Sequence, residues 1–396
     1  MPPRRTGDTR YGNYILIAAV VSSLSIILLT ILYYLLHDDT NSRSIGLEPT
    51  IKIPLFRSIV DRVGDSGQPA VNYFALVSIG TRGIKQFKIQ FDTSLKESFV
   101  PLHDKGRPGS VLHYDRGYMS ANSSTSKQIG KGVRLEYQQC KMDGDQYQDL
   151  IDFDNALPRP AGKVAHSFLA VKNVQVGCPT NFGVLEVDGS FGLAPDLTNS
   201  LLDRLVHRRQ FSFWFNPALD ARDGGELTIG EVDPNRYQGS IIWHVVPDMT
   251  GDQWALNLQN VTIGAETLSG DCRYAKCGAI INTGVSDIYG PAPAVQRIHA
   301  LVRRNSDVPL IDCQEAERLP VLTFFIGGQP YSLTPANYVR RLVTGDASKC
   351  YVAVWPIRDT SVSNQSRWIL GTNFLSAYYS VFDMDARQVG FATMRT

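Results

Sequence analysis

The chain is 396 residues long and 43% apolar, with a formal net charge of +1. That is enough material for two packed lobes and a large core. The near-neutral balance gives a nucleic-acid or acidic-surface partner no electrostatic support, so those functions are set aside.

The N-terminus reads separately from the rest. Arg4, Arg5 and Arg10 precede an uncharged run of 23 residues over 14–36, and His37, Asp38 and Asp39 follow it. Such a run spans a hydrocarbon core of about 30 Å at about 1.5 Å per residue. Positive charge on its N-terminal side makes 1–13 a cytoplasmic tail and 14–36 a transmembrane signal anchor, with the remainder lumenal or extracellular. The expected localisation is a single-pass type II membrane protein of the secretory or endomembrane system or cell surface. A cleaved signal peptide fits less well. Its apolar region would run to roughly 7–15 residues, and no small-x-small site follows this one.

Residues 37–70 are polar and turn-rich and read as a stalk, with 51–57 (Ile-Lys-Ile-Pro-Leu-Phe-Arg) a short strand or packing segment inside it. From residue 72 the pattern turns strand-like, over 73–80 and 87–91 with a glycine-containing turn between. Abundant glycine and proline between short Val/Ile/Tyr/Phe runs continue this to the end and favour an all-β body. Short helices are expected at 198–208, 292–304 and 335–342. Asp143-Gly144 fits a tight hairpin turn.

The six cysteines, Cys140, Cys178, Cys272, Cys277, Cys313 and Cys350, all lie in the part expected outside the cytoplasm, where an even count reads as disulfides. No Cys/His spacing suits zinc, and no metal or other cofactor is expected. The sequons at Asn122, Asn260 and Asn364 suit a secretory glycoprotein.

An internal echo organises the body. Phe-Asp-Thr-Ser (91–94) is followed later by Asp-Gly-Ser-Phe-Gly-Leu-Ala (188–194). Ile-Asn-Thr-Gly (281–284) is followed later by Trp-Ile-Leu-Gly-Thr-Asn (368–373). Each half runs an apolar strand into an acid-or-amide turn and meets an apolar pair plus glycine downstream. Two related lobes facing one another follow, an N-terminal lobe over 71–240 and a C-terminal lobe over 241–396.

These motifs, with Phe-Val-Pro (99–101), Gly-Gly-Glu-Leu-Thr-Ile-Gly (224–230) and Tyr-Tyr-Ser-Val-Phe-Asp (378–383), resemble the pepsin-like aspartic protease family across 72–396. The resemblance implies a bilobal all-β fold with pseudo-twofold related lobes and a central cleft that takes a peptide, in a monomer. It pairs Cys272 with Cys277 and Cys313 with Cys350, which leaves Cys140 for Cys178. It makes 37–70 a poor match to an activation propeptide, at most a remnant of one. It matches Tyr137 to the tyrosine of the flap over the cleft, although an ordinary hairpin tyrosine would look the same.

The same resemblance places Asp92 at the first catalytic carboxylate and Asn282 at the second. Two carboxylates in contact share one proton because both cannot ionise cheaply, and catalysis moves that proton between them. A carboxamide neither gains nor loses a proton at physiological pH, so this pair cannot shuttle. Thr93 and Thr283 match residues that lock the two turns together; Gly284 is kept in the second turn, while Ser94 replaces the glycine of the first. Leu95 and Val285 stand where the family places hydroxyls on the carboxylates, and Thr372 stands where an aspartate is usual. Asp287 is expected to point elsewhere. The expectation is a severely impaired or inactive homologue that keeps its cleft, with Asn282→Asp alone restoring little. An active acid endopeptidase, in which Asp92 works alone or with another helper, is the alternative, and a structural ectodomain with a filled cleft is a third possibility.

Overall fold

The computed structural model describes residues 50–63, 68–81, 86–103, 117–137, 140–153, 156, 163–174, 187–195, 201–218, 223–247, 253–268, 277–301, 310–342, 348–357 and 367–395. The tail and anchor expected over 1–36 lie outside them, as do Cys178, Cys272 and Asn364 and the side chains of Tyr137 and Cys140. Contacts group Pro49–Thr396 into one unit.

Strands dominate because apolar residues recur at every second position, as they must when one face of a pleated strand is buried. In the first half these are β1 (Ile51–Val63), β2 (Gln68–Ile79), β3 (Gln86–Asp92), β4 (Phe99–Pro101), β5 (Lys127–Tyr137), β6 (Cys140–Phe153), β7 (Val164–Val174), β8 (Gly189–Gly192), β9 (Gln210–Phe215), β10 (Asp223–Ile229) and β11 (Tyr237–Val245). The second half begins with β12 (Ala255–Ile263), β13 (Glu266–Thr267), β14 (Gly278–Ile281), β15 (Ile288–Gly290), β16 (Leu310–Asp312) and β17 (Leu322–Ile326). It ends with β18 (Gln329–Leu333), β19 (Val339–Arg341), β20 (Lys349–Val352), β21 (Val354–Pro356), β22 (Arg367–Leu370), β23 (Tyr378–Asp383) and β24 (Gln388–Met394).

The largest sheet runs β11-β24-β23-β9-β10-β1-β2-β3-β8-β4-β7-β6-β5, and a second runs β18-β17-β12-β14-β22-β15-β21. A small third sheet, β16-β20-β19, carries the Cys313–Cys350 disulfide. The C-terminal strands β23 and β24 return to the first sheet between β9 and β11. The expected lobe boundary at 240 therefore falls inside β11.

The segment 51–63, expected within the stalk, is a strand of the body. Ile51, Ile53 and Leu55 alternate with half-buried residues and are 3%, 1% and 2% exposed. Burying each such side chain is worth roughly 1.5–3 kcal/mol, which a solvated stalk would forgo. β1 pairs first with β10 (Ile51↔Ile229) and then with β2 (Phe56↔Phe74).

The helix expected over 292–304 is present over Ala292–Ala300. Three other local expectations change. Over 198–208 the described residues hold only a 3-10 turn, Leu201–Arg204. The helix expected over 335–342 stops at Tyr338, because Val339–Arg341 pairs with β20 (Val339↔Val352). Asp143 and Gly144 lie within β6, opposite Arg134 and Val133. The hairpin reverses between Tyr137 and Cys140 instead.

Candidate active site

Asp92 ends β3, which runs parallel to β8 with Asp92 opposite Gly192; β8 in turn pairs antiparallel with β4 and β4 parallel with β7. The second half repeats this wiring. β14 delivers Asn282 and runs parallel to β22, which pairs antiparallel with β15, and β15 runs parallel to β21. Even the turn hydrogen bonds correspond: the amide of Ala194 donates to Leu95 O at 3.0 Å, and that of Thr372 to Val285 O at 2.9 Å. The echo in the sequence is thus a repeated supersecondary unit.

The two turns meet through their threonines. Thr93 N donates to Thr283 Oγ1 and Thr283 N to Thr93 Oγ1, both at 3.0 Å. Each hydroxyl donates onward across the interface, Thr93 Oγ1 to Ile281 O at 2.8 Å and Thr283 Oγ1 to Phe91 O at 2.7 Å. All four groups are buried and satisfied, as polar atoms at this depth must be. This lock sets the turn that carries Asn282 against Asp92. A Cβ on Gly284 would fall on the Asp92 carboxylate, so only glycine lets the second turn come this close.

Asp92 is fully buried, and its Oδ1 accepts hydrogen bonds from both Ser94 N and Ser94 Oγ at 2.7 Å. The expectation that Leu95 leaves Asp92 without a hydroxyl therefore does not hold: Ser94, one position earlier, supplies it. Leu95 packs instead with Phe99, Leu135, Met142, Leu169 and Val171, beneath the β5–β6 hairpin. On the other side Asn282 Oδ1 accepts from Gly284 N at 2.7 Å, and neither Gly284 nor Val285 carries a hydroxyl. The two halves match in backbone and differ in side-chain support.

Behind the Asn282 turn lies a buried polar cluster that sequence reading missed. Asp287 Oδ2 accepts from Trp355 Nε1 at 2.7 Å, and Oδ1 accepts from Ser286 Oγ at 3.0 Å and Asn373 Nδ2 at 3.1 Å. Asn373 Oδ1 in turn accepts from Arg340 Nε at 2.9 Å and from Arg340 Nη2. Burial pushes the Asp287 carboxyl up to about 6, with Trp355, Ser286, Arg340 and Asn373 restraining the rise. Asp287 thus faces the interior of the second half. No sequence signal separates Arg340, which is buried, from its exposed neighbour Arg341.

The other expected residues sit as follows. Tyr137 is opposite Cys140 at the mouth of the β5–β6 hairpin. Cys313–Cys350 is formed, and Cys277 is disulfide-bonded. The Cys140–Cys178 and Cys272–Cys277 pairings involve residues outside those described. Asn122 is exposed on a short 3-10 turn, whereas Asn260 is half-buried within β12. Among the described residues no group of three or more His, Cys, Asp or Glu could hold a metal ion, and no helix is long and apolar enough to cross a membrane.

Comparison with known proteins agrees with this geometry. The family model described as eukaryotic aspartyl protease matches residues 72–394. The chain is similar to a renin of Echis ocellatus, 30% identical over 329 residues covering 81% of this chain and 80% of the renin. It is also similar to a cathepsin D of Dictyostelium discoideum, 30% identical over 336 residues (81% and 83% of the two chains). A gastricsin of Oryctolagus cuniculus is 30% identical over 335 residues, 81% of each.

Proposed function

Because the chain belongs to the eukaryotic aspartyl protease family, we propose that it is a membrane-anchored member in which catalytic turnover has lapsed while the cleft still binds peptide. The observation that carries this reading is Asn282, in the turn locked against Asp92 through Thr93 and Thr283. Asp92 can activate a water, but the carboxamide of Asn282 neither gains nor loses a proton and so cannot pass one to a departing amine. Loss of one member of a general acid–base pair costs about 10²–10⁴-fold, and more where two groups act as a unit. The intact threonine lock supports retention of the cleft's framework, and the apolar run over 14–36 supports the anchor.

The test uses the full chain in detergent, with a peptide library between about pH 3 and 7, with and without a statine-type inhibitor. Expected are no inhibitor-sensitive turnover and calorimetric binding of the inhibitor. Turnover by the parent that disappears in Asp92→Asn would establish the alternative, an active acid endopeptidase. Absence of both turnover and binding would instead favour an ectodomain with a filled cleft.

A further inference from the structure

The turn carrying Asn282 has its backbone tied from behind: Val285 O accepts from Thr372 N at 2.9 Å and Ser286 O from Asn373 N at 2.8 Å. Asn373 is therefore held at both its backbone and its side chain, the latter between Asp287 and Arg340. Arg340 also donates to Ala336 O at 3.2 Å. Asp287, Arg340 and Asn373 are buried, at 3%, 8% and 1% exposure. A brace of this kind links the turn to β15, β19 and β21. We propose that Asp287 is the positioning carboxylate of the C-terminal half-site, fixing the Asn282 turn through Ser286, Asn373 and Trp355 and holding it differently when protonated. The ligand part of this proposal rests on the peptide-cleft reading above.

The reason is donor arithmetic. As a carboxylate, Asp287 only accepts, and three donors converge on it: the Trp355 indole N–H, the Asn373 amide N–H and the Ser286 hydroxyl. A proton on the carboxyl adds a fourth donor to the same cluster. Trp355 cannot reverse its role, and Asn373 cannot turn without facing its NH₂ toward the Arg340 guanidinium. Only the Ser286 hydroxyl can switch from donor to acceptor, and Ser286 belongs to the turn itself. Burial with a nearby guanidinium puts the change at about pH 6, between neutral and mildly acidic conditions.

The titratable groups around Asp287 are Arg340 from β19 and Tyr351 from β20, whose hydroxyl is pushed well up by burial and by Asp287 itself. Tyr289 on β15 lies beyond Tyr351, and His299 packs edge-on against the Trp355 ring at 5.8 Å with Nε2 2.6 Å from Val354 O. His299 is the competing source of any change at Trp355. The test must therefore separate the two.

Asn282-Thr283 is the only Asn-Thr pair in the sequence, so labelling Asn with carbonyl ¹³C and Thr with ¹⁵N isolates the Thr283 amide in one resonance. Trp355→Phe identifies the Trp355 indole signal. In the full chain, and in Asp92→Asn, both signals should titrate together with a midpoint near 6, and both should stay flat over that range in Asp287→Asn. Between pH 5 and 7 the Kd for a statine-containing peptide should change about tenfold in the parent and not in Asp287→Asn. A midpoint that survives Asp287→Asn would overturn the proposal and point to His299. So would a Thr283 amide that stays still while Trp355 moves. If Asp287→Asn fails to fold, Ser286→Ala should raise the shared midpoint by removing a bond to the carboxylate, and an unmoved midpoint is equally fatal. Failure of the peptide to bind at any pH would sink the cleft reading alone, since the two resonances need no ligand.

Discussion

An amide and a carboxylate are nearly the same size, so Asn282 fits its turn without disturbing it and changes only what the site can do with a proton. The supporting hydroxyls matter next. Ser94 gives Asp92 both its amide and its hydroxyl, so the first half-site is better equipped than the sequence alone suggests. The second half-site has Val285 where a hydroxyl would serve. We therefore expect Asn282→Asp to restore weak acid proteolysis rather than none, and Asn282→Asp with Val285→Thr to add about tenfold more, read as kcat/KM on one peptide. Equal rates in the single and double variants would remove Val285 from the account. Asp92 and Asn282 were legible because each ends an apolar strand. The Ser94 contact was not, because which neighbour's hydroxyl folds back onto the carboxylate depends on the turn's backbone.

At the scale of the element, the threonine lock and the Asp287 cluster make separate predictions. Thr283→Val keeps shape but leaves Thr93 N and Phe91 O without their partner inside the protein. A loss of about 2–4 kcal/mol is expected by denaturant unfolding. A loss below about 0.5 kcal/mol would mean that the turns are held by packing alone. The Asp287 prediction concerns pH. Its folded value, about 6, is raised from 3.8, so the native state binds the proton more tightly than the unfolded state. The stability from this group is complete below about pH 4 and falls by roughly 3 kcal/mol as pH rises through 6. Asp145, lowered by its bond to Lys172, works in the opposite sense and loses its contribution as pH drops through its folded value. So does Asp233, where bonds from Lys52 and Asn235 outweigh the upward push of burial. Thermal unfolding should therefore show greatest stability near pH 4 and a decline between about pH 4 and 6, which Asp287→Asn should flatten. Undiminished decline in that variant would assign it to other groups.

Over the whole molecule, β1 is the strand that joins β10 to β2 within the large sheet. A chain beginning at residue 50 keeps β1 and should remain folded and monodisperse. One beginning at 68 strips three buried side chains and opens the edges of β10 and β2, and aggregation is expected. Size-exclusion chromatography of the two truncations decides this, and a well-behaved shorter form would make β1 dispensable. Trp254 adds a tie between halves, its indole donating to Leu193 O at 2.9 Å while its carbonyl accepts from Ile281 N at 3.0 Å. The anchor proposed over 14–36 predicts that the full chain resists alkaline carbonate extraction while the form beginning at 50 is released.

Period-two alternation and the repeated acid-or-amide turns were enough to imply an all-β body of two related halves, because these signals are local and recur along the chain. They also singled out Asn282, since an amide in one of two matching turns is a matter of composition at one position. Burial and partner choice were different. Whether 51–63 hung in solvent or crossed the sheet depended on β10, far along the chain (Ile51 pairs with Ile229). The Asp287–Asn373–Arg340 chain draws its members from three separate stretches. Such groupings belong to the packed fold alone, because the energy of a buried polar atom is set by whichever distant residue arrives to satisfy it.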